Sequence, residues 1–166
     1  MATTDEEKAE VLNQHFSSVF TREDTSNIPD FNPHPCNSIL DKINITEDQV
    51  KKKLSKLRTD KSCGPDEVHP FLLNKLADKF AEPLSIIFNN SIKTGQVPKI
   101  WKEGIVTAIF KKGKKCLPAN YRAITLTSVV CKILEKLIVE KIIKHLKTNM
   151  LKMININTDL HQKNQL

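Results

Sequence analysis

"GIVTAIFKKGKKCLPANYRAITLT", residues 104–127, decides the fold class. Its opening, GIVTAIF, is apolar and rich in β-branched residues, and its close, YRAITLT, alternates polar with apolar. Between them Lys111, Lys112, Lys114 and Lys115 surround Gly113, and Pro118 follows. Two strand-like runs joined by turn-forming residues predict a β-hairpin with a long loop. A two-stranded hairpin is marginal by itself, so it must lean on helices or on strands that these residues do not supply.

The rest of the chain repeats at helical spacing. Thr4 and Glu7 form a capping-box pattern, and Leu12, Phe16, Val19 and Phe20 follow it, which predicts an amphipathic helix over residues 5–20. Pro29, Pro33 and Pro35 lie among Asn, Asp and Ser, so residues 21–45 read as a linker. Thr46 and Gln49 cap a second helix that turns Val50, Leu54 and Leu57 inward and Lys51, Lys52, Lys53 and Lys56 outward. Gly64-Pro65-Asp66 then marks a turn. Pro70 opens a helix with Leu73, Leu76 and Phe80 inward. Pro83 is expected to restart another, with Leu84, Ile87, Phe88 and Ile92 as its stripe and Gly95 as its stop. A last helix over about 128–147 carries Val130, Ile133, Leu134, Leu137, Ile138, Ile142 and Leu146, and fraying is expected after Lys147. The predicted class is α+β: mostly helical, with one basic β-hairpin. The predicted divisions are an acidic helix and linker (1–45), a body (46–147) and a frayed tail (148–166).

Composition narrows the function. A chain of 166 residues, 39% hydrophobic and 27% charged, suits one soluble domain with a real core. No stretch is long and apolar enough for a membrane span, and the acidic start "MATTDEEKAEVL" is no signal peptide. An intracellular protein, nuclear or cytoplasmic and not secreted, is the expectation. Cys36, Cys63, Cys116 and Cys131 lack metal-ligand spacing, so reduced thiols are expected and a zinc site is not. The net charge of +7 is uneven: residues 1–48 carry three basic and ten acidic groups, whereas residues 49–166 carry 23 and nine. A basic body behind an acidic lead fits a polyanion partner, and a lysine-rich solvated surface is the plainer reading. The asymmetry also suggests that the acidic helix masks the basic surface.

The hairpin carries the sharpest chemistry. Phosphates need several cationic donors on a rigid frame, and arginine's planar fork suits their oxygens best. Lys111 and Lys112 end one strand while Arg122 begins the other, and Arg122 shares strand parity with Ile124 and Leu126, which are expected to be buried. A solvent-facing turn with an incidental arginine is the competing reading. Trp101 reads as a core plug where helix meets strand.

Taken together, "KAEVLNQHFSSVFT", the run from "ITEDQVKKKL" through "GIVTAIFKKGKK", and "NYRAITLTSVVCKILEKLIVEKIIKHL" resemble the start of the reverse transcriptase of non-LTR, LINE-type retrotransposons of the Jockey/CR1 kind. The resemblance covers about residues 8–147. It implies a partial fingers and early-palm region of an RNA-directed DNA polymerase. It further implies that Lys111, Lys112 and Arg122 contact a nucleotide triphosphate. Lys61 and the Gly64-Pro65-Asp66 turn would lie beside the template, with Lys114 and Lys115 also on nucleic acid. RNA or an RNA–DNA hybrid is the implied partner.

Departures accompany the likeness. The family usually has Pro at the positions of Cys63, Ala108 and Ala123, and Gly at that of Glu67. Its "QHGFR"-like segment is missing from "NMLKMININTDLHQKNQL". So are its palm aspartates, which hold Mg²⁺ for two-metal polymerisation. The adjacent acids Glu23-Asp24, Glu47-Asp48 and Asp66-Glu67 have capping or solvation readings. The expectation is therefore a truncated fragment that binds RNA or a hybrid without extending a primer, with no catalytic residue, metal site or cofactor. The alternatives are a helical protein-interaction module, docking a partner where the palm would have packed, and a decayed product without function.

Overall fold

The computed structural model describes residues 3–21, 24, 26, 39, 40 and 42–163, the last fourteen (150–163) by backbone alone. Most of the predicted linker, with Glu23, Cys36 and its three prolines, lies outside the described residues. The elements run α1 (Asp5–Ser18), α2 (Glu47–Leu54), α3 (Pro70–Lys75), α4 (Ala77–Thr94), β1 (Gly104–Phe110), β2 (Tyr121–Thr127) and α5 (Val129–Lys163). This is the α+β, mostly helical class, with a single antiparallel pair of strands among the described residues. The chain folds as two compact units that are not consecutive in sequence: Met1–His34 with Gly104–Leu126, and Pro35–Glu103 with Thr127–Leu166.

The larger unit holds the core. Ile45, Val50, Leu54, Leu73, Ala77, Leu84, Phe88, Val129, Val130, Ile133, Leu134 and Leu137 form one buried cluster. A capping box starts α2 as the sequence predicts, with the Thr46 hydroxyl accepting from the Gln49 N–H and the Gln49 side chain accepting from the Thr46 N–H. The end of α2 is closed from outside, because the Asn74 amide donates to the carbonyls of Leu54, Ser55 and Leu57. Lys53 pairs with Glu140, tying α2 to α5. Trp101, in a 3-10 turn (Lys99–Lys102), packs edge-on against Phe88 with ring centroids 6.0 Å apart, the plug the sequence predicts.

Helix boundaries and one linker residue differ from the sequence reading. The break falls at Leu76 (φ −108°, ψ 28°), and Pro83 lies inside α4. Pro83 removes one helical hydrogen bond, at a cost of roughly 3 kcal/mol in an isolated helix. Packing offsets it, since Ala81, Leu84, Ser85 and Phe88 on either side of Pro83 are buried. Leu76 and Ile87, expected inward, are 43% and 40% exposed, because the break at Leu76 resets which positions face the core. Ile45, assigned to the linker, is 1% exposed and clamped by Asn89, which accepts from its N–H at 2.9 Å and donates to its carbonyl at 2.8 Å. The α5 backbone is helical through Lys163, and no Gly or Pro interrupts residues 129–163.

In the smaller unit, α1 starts at the predicted Thr4/Glu7 capping box, and none of its residues is buried. It packs against the 3-10 turn Pro118–Asn120 of the hairpin loop. Val11, Leu12 and Lys8 line one side of a cleft of about 700 Å³, and Lys115, Cys116, Pro118 and Tyr121 line the other.

Candidate nucleic-acid interface

The hairpin closes where the sequence places it. The Lys111 N–H donates to the Asn120 carbonyl at 2.8 Å, and the Phe110 and Tyr121 rings meet edge-on at 5.5 Å, which sets these residues opposite one another. Since side chains alternate along a strand, Lys111 and Arg122 then project from the same face. Lys112 leads into the turn, followed by Gly113 at φ +91°. Lys111, Lys112, Lys114, Lys115 and Arg122 are all exposed, and no carboxylate interrupts residues 104–127. The face beneath Arg122 is not the buried one that strand parity suggests. Ile124, on a sheet of two strands among the described residues, is 43% exposed.

The loop is held from inside. The Asn120 amide donates to the Lys114 carbonyl at 2.8 Å, and the Tyr121 hydroxyl donates to the Lys115 carbonyl at 2.9 Å. Leu117 N–H reaches the Lys114 carbonyl and Asn120 N–H the Leu117 carbonyl, at 3.2 and 3.0 Å. Asn120 lies so close under the turn that a Cβ on Gly113 would come within 2.6 Å of its amide nitrogen. The Lys115 ammonium sits 5.8 Å from the Phe110 ring centre, a weak cation–π contact. Sequence reasoning singles out Arg122 but misses Asn120 and Tyr121 just before it. An Asn after Pro-Ala carries only a generic turn signal.

The turn residues tied by resemblance to the template lie in the other unit. Lys61 is exposed. Gly64 is buried against the start of α5, and a Cβ there would meet Thr127 C at 2.5 Å and Ser128 N at 2.6 Å. Ser128, itself fully buried, donates its hydroxyl to the Asp66 carboxylate and accepts from the Cys131 N–H at 3.1 Å, capping α5. The observed contacts of Gly64 and Asp66 are thus internal ones that fasten the turn to a helix. Next to them Glu67 adopts φ +55°, a left-handed conformation that suits glycine, the residue usual at this position in the family it resembles.

Desolvation, followed by the nearby Glu135 carboxylate, pushes the Cys131 thiol above its ordinary range. Among the described residues, no three of His, Cys, Asp and Glu gather closely enough to hold a metal ion. Asp66 is engaged by Ser128, and Glu47 and Asp48 occupy the first turn of α2. No helix among the described residues is long and apolar enough to cross a membrane.

No protein-family model matches the chain. Individual relatives do. Over 100 residues, 60% of this chain, it is 31% identical to the RNA-directed DNA polymerase from mobile element jockey of Drosophila melanogaster, and it spans 11% of that protein. The jockey polymerase of Drosophila funebris is 32% identical over a stretch of the same length. The probable RNA-directed DNA polymerase from transposon BS of Drosophila melanogaster is 28% identical over 149 residues, which is 86% of this chain and 16% of that relative. By sequence, the chain is similar to RNA-directed DNA polymerases of non-LTR retrotransposons and spans only 11–16% of the length of these relatives.

Proposed function

We propose that the hairpin is a phosphate grip for RNA or an RNA–DNA hybrid, with Lys111, Lys112 and Arg122 taking the triphosphate of an incoming nucleotide. Lys114, Lys115 and Lys61 supply further contacts to the nucleic-acid backbone, while Gly64 and Asp66 shape the turn that carries Lys61. The observation that carries this reading is the set of five exposed cations between residues 111 and 122, uninterrupted by any acid, with Lys111 and Arg122 on one strand face. Clustered cations on a firm frame release counterions from a polyanion, which sets both affinity and its salt dependence. The polymerase names of the relatives add support. The proposed activity of these residues is binding without primer extension, since the aspartates that hold the two metal ions in the resembled family are not among them.

The test is a salt titration of binding to a short RNA–DNA primer–template. Losing three phosphate contacts in the Lys111→Ala/Lys112→Ala/Arg122→Ala chain should flatten the slope of log K against log salt by roughly 2 to 3 units. An identical slope, or no binding by the unmodified chain, would refute the reading.

A second reading, docking of another polypeptide, is favoured by one observation. Ile105, Val106 and Ile109 on the hairpin, and Val139, Ile142, Ile143 and Leu146 on α5, are 39–58% exposed. Apolar groups of this size in one small chain are typical of covered surfaces.

A further inference from the structure

We infer that Asn120 and Tyr121 are positioning residues that hold the lysine loop ready for phosphate, an inference that rests on the reading proposed above. An anion-binding loop has to present cations and turn its carbonyl oxygens away, because a carbonyl's negative end repels a phosphate. In this loop the carbonyls of Lys114 and Lys115, the two residues of its second lysine pair, are both occupied from within. Asn120 takes the first at 2.8 Å and Tyr121 takes the second at 2.9 Å. Both anchors stand on the return side of the hairpin, immediately before Arg122, so the same short segment sets the lysine pair and the arginine in one frame.

The anchors are themselves fixed. The Tyr121 ring stacks edge-on against Phe110 across the strands at 5.5 Å, and the Asn120 carbonyl receives the Lys111 N–H at 2.8 Å. Gly113 completes the arrangement, since its φ of +91° and its lack of a Cβ leave the space that the Asn120 side chain fills. Ordering the loop before binding removes part of the entropy cost that a floppy lysine turn would meet on contact with phosphate. Neither anchor carries a charge, so neither should change the number of counterions released.

The experiment uses the full chain and a short, fluorescently labelled RNA–DNA primer–template. Tyr121→Phe keeps the ring on Phe110 and removes one hydroxyl; Asn120→Ala removes the other anchor; Gly113→Ala displaces Asn120 without touching it. Each variant should weaken binding by about three- to tenfold, the scale of one lost hydrogen bond, while leaving the slope of log K against log salt unchanged. Backbone amide relaxation in the unbound chain should show residues 111–117 loosened, with strand amides 105–109 as before. A loosened loop with unchanged affinity would overturn the positioning role, and so would a Tyr121→Phe loop as rigid as the original. If the unmodified chain fails to bind, the phosphate reading itself falls, a result visible before any variant is compared. If Asn120→Ala does not fold, Tyr121→Phe still decides the matter, because its ring packing is retained.

Discussion

Replacing Gly64 by alanine is the sharpest test of how this fold holds its pieces. The added Cβ would lie 2.5 Å from Thr127 C, 2.6 Å from Ser128 N and 2.6 Å from Thr127 O, all of them backbone atoms that cannot rotate aside. Something must move, and overpacking of this kind costs typically about 1–3 kcal/mol. Movement at Ser128 also endangers its bond to the Asp66 carboxylate and its cap on Cys131 N–H. A lost N-cap alone is worth about 1 kcal/mol. Together the clash and the lost cap come to about 2–4 kcal/mol. For a chain of this size that lowers the thermal midpoint by roughly 5–15 °C. Helix signal by circular dichroism during heating and urea unfolding measures it, with Gly95→Ala as the internal comparison. Gly95 has nothing within 4 Å of its Cβ position, and its φ of +67° leaves only a left-handed backbone penalty of about 1–2 kcal/mol. Ser128→Ala should destabilise by itself, and the double variant with Gly64→Ala should be less than additive. If Gly64→Ala lies within about 0.5 kcal/mol of the unmodified chain, an ordinary tolerance for surface changes, the latch between turn and helix is wrong.

Other expectations follow from single contacts. Glu67→Gly should raise stability by about 0.5–1 kcal/mol, since φ +55° strains a glutamate and suits glycine; a loss would mean that the glutamate side chain makes a compensating contact. Pro83→Ala restores a hydrogen bond inside α4 and should stabilise by about 1–2 kcal/mol in urea unfolding, whereas a drop would show that the proline shapes the helix for its packing. Near neutral pH, Cys131 should alkylate more slowly than exposed Cys116, because burial and Glu135 disfavour its thiolate; mass spectrometry with equal rates for both would contradict this. The Lys51–Asp78 pair at 2.8 Å joins α2 to α4, and the bond from Lys51 holds the Asp78 carboxyl below its ordinary value. A depressed carboxylate contributes stability above its unfolded pKa and loses it as pH falls through the folded one. The stability gap between the unmodified chain and Asp78→Asn should therefore be present at neutral pH, close on acidification below the ordinary aspartate range, and shrink in high salt. A gap independent of pH would assign it to something other than this pair.

Local chemistry by itself determined the starts of α1 and α2 and the turn of the hairpin. Thr4 with Glu7 and Thr46 with Gln49 cap the helices they announce, and Gly113 among its lysines turns the hairpin. These features are legible because each depends on residues a few positions apart, where propensity and hydrogen bonding act without help from distant groups. The cations of the candidate site were legible for the same reason, as a run in sequence. What holds that site was not, since the bonds from Asn120 and Tyr121 exist only once the loop has folded back on itself. Tertiary structure also decided that α4 runs through Pro83 and that Ile45 leaves the linker for the core. It joined Gly64 and Asp66 to Ser128, which lies 62 residues beyond Asp66 in the chain. In each case packing between distant segments outweighs a local preference of at most a few kcal/mol, and no pattern along the chain records which distant segment will arrive.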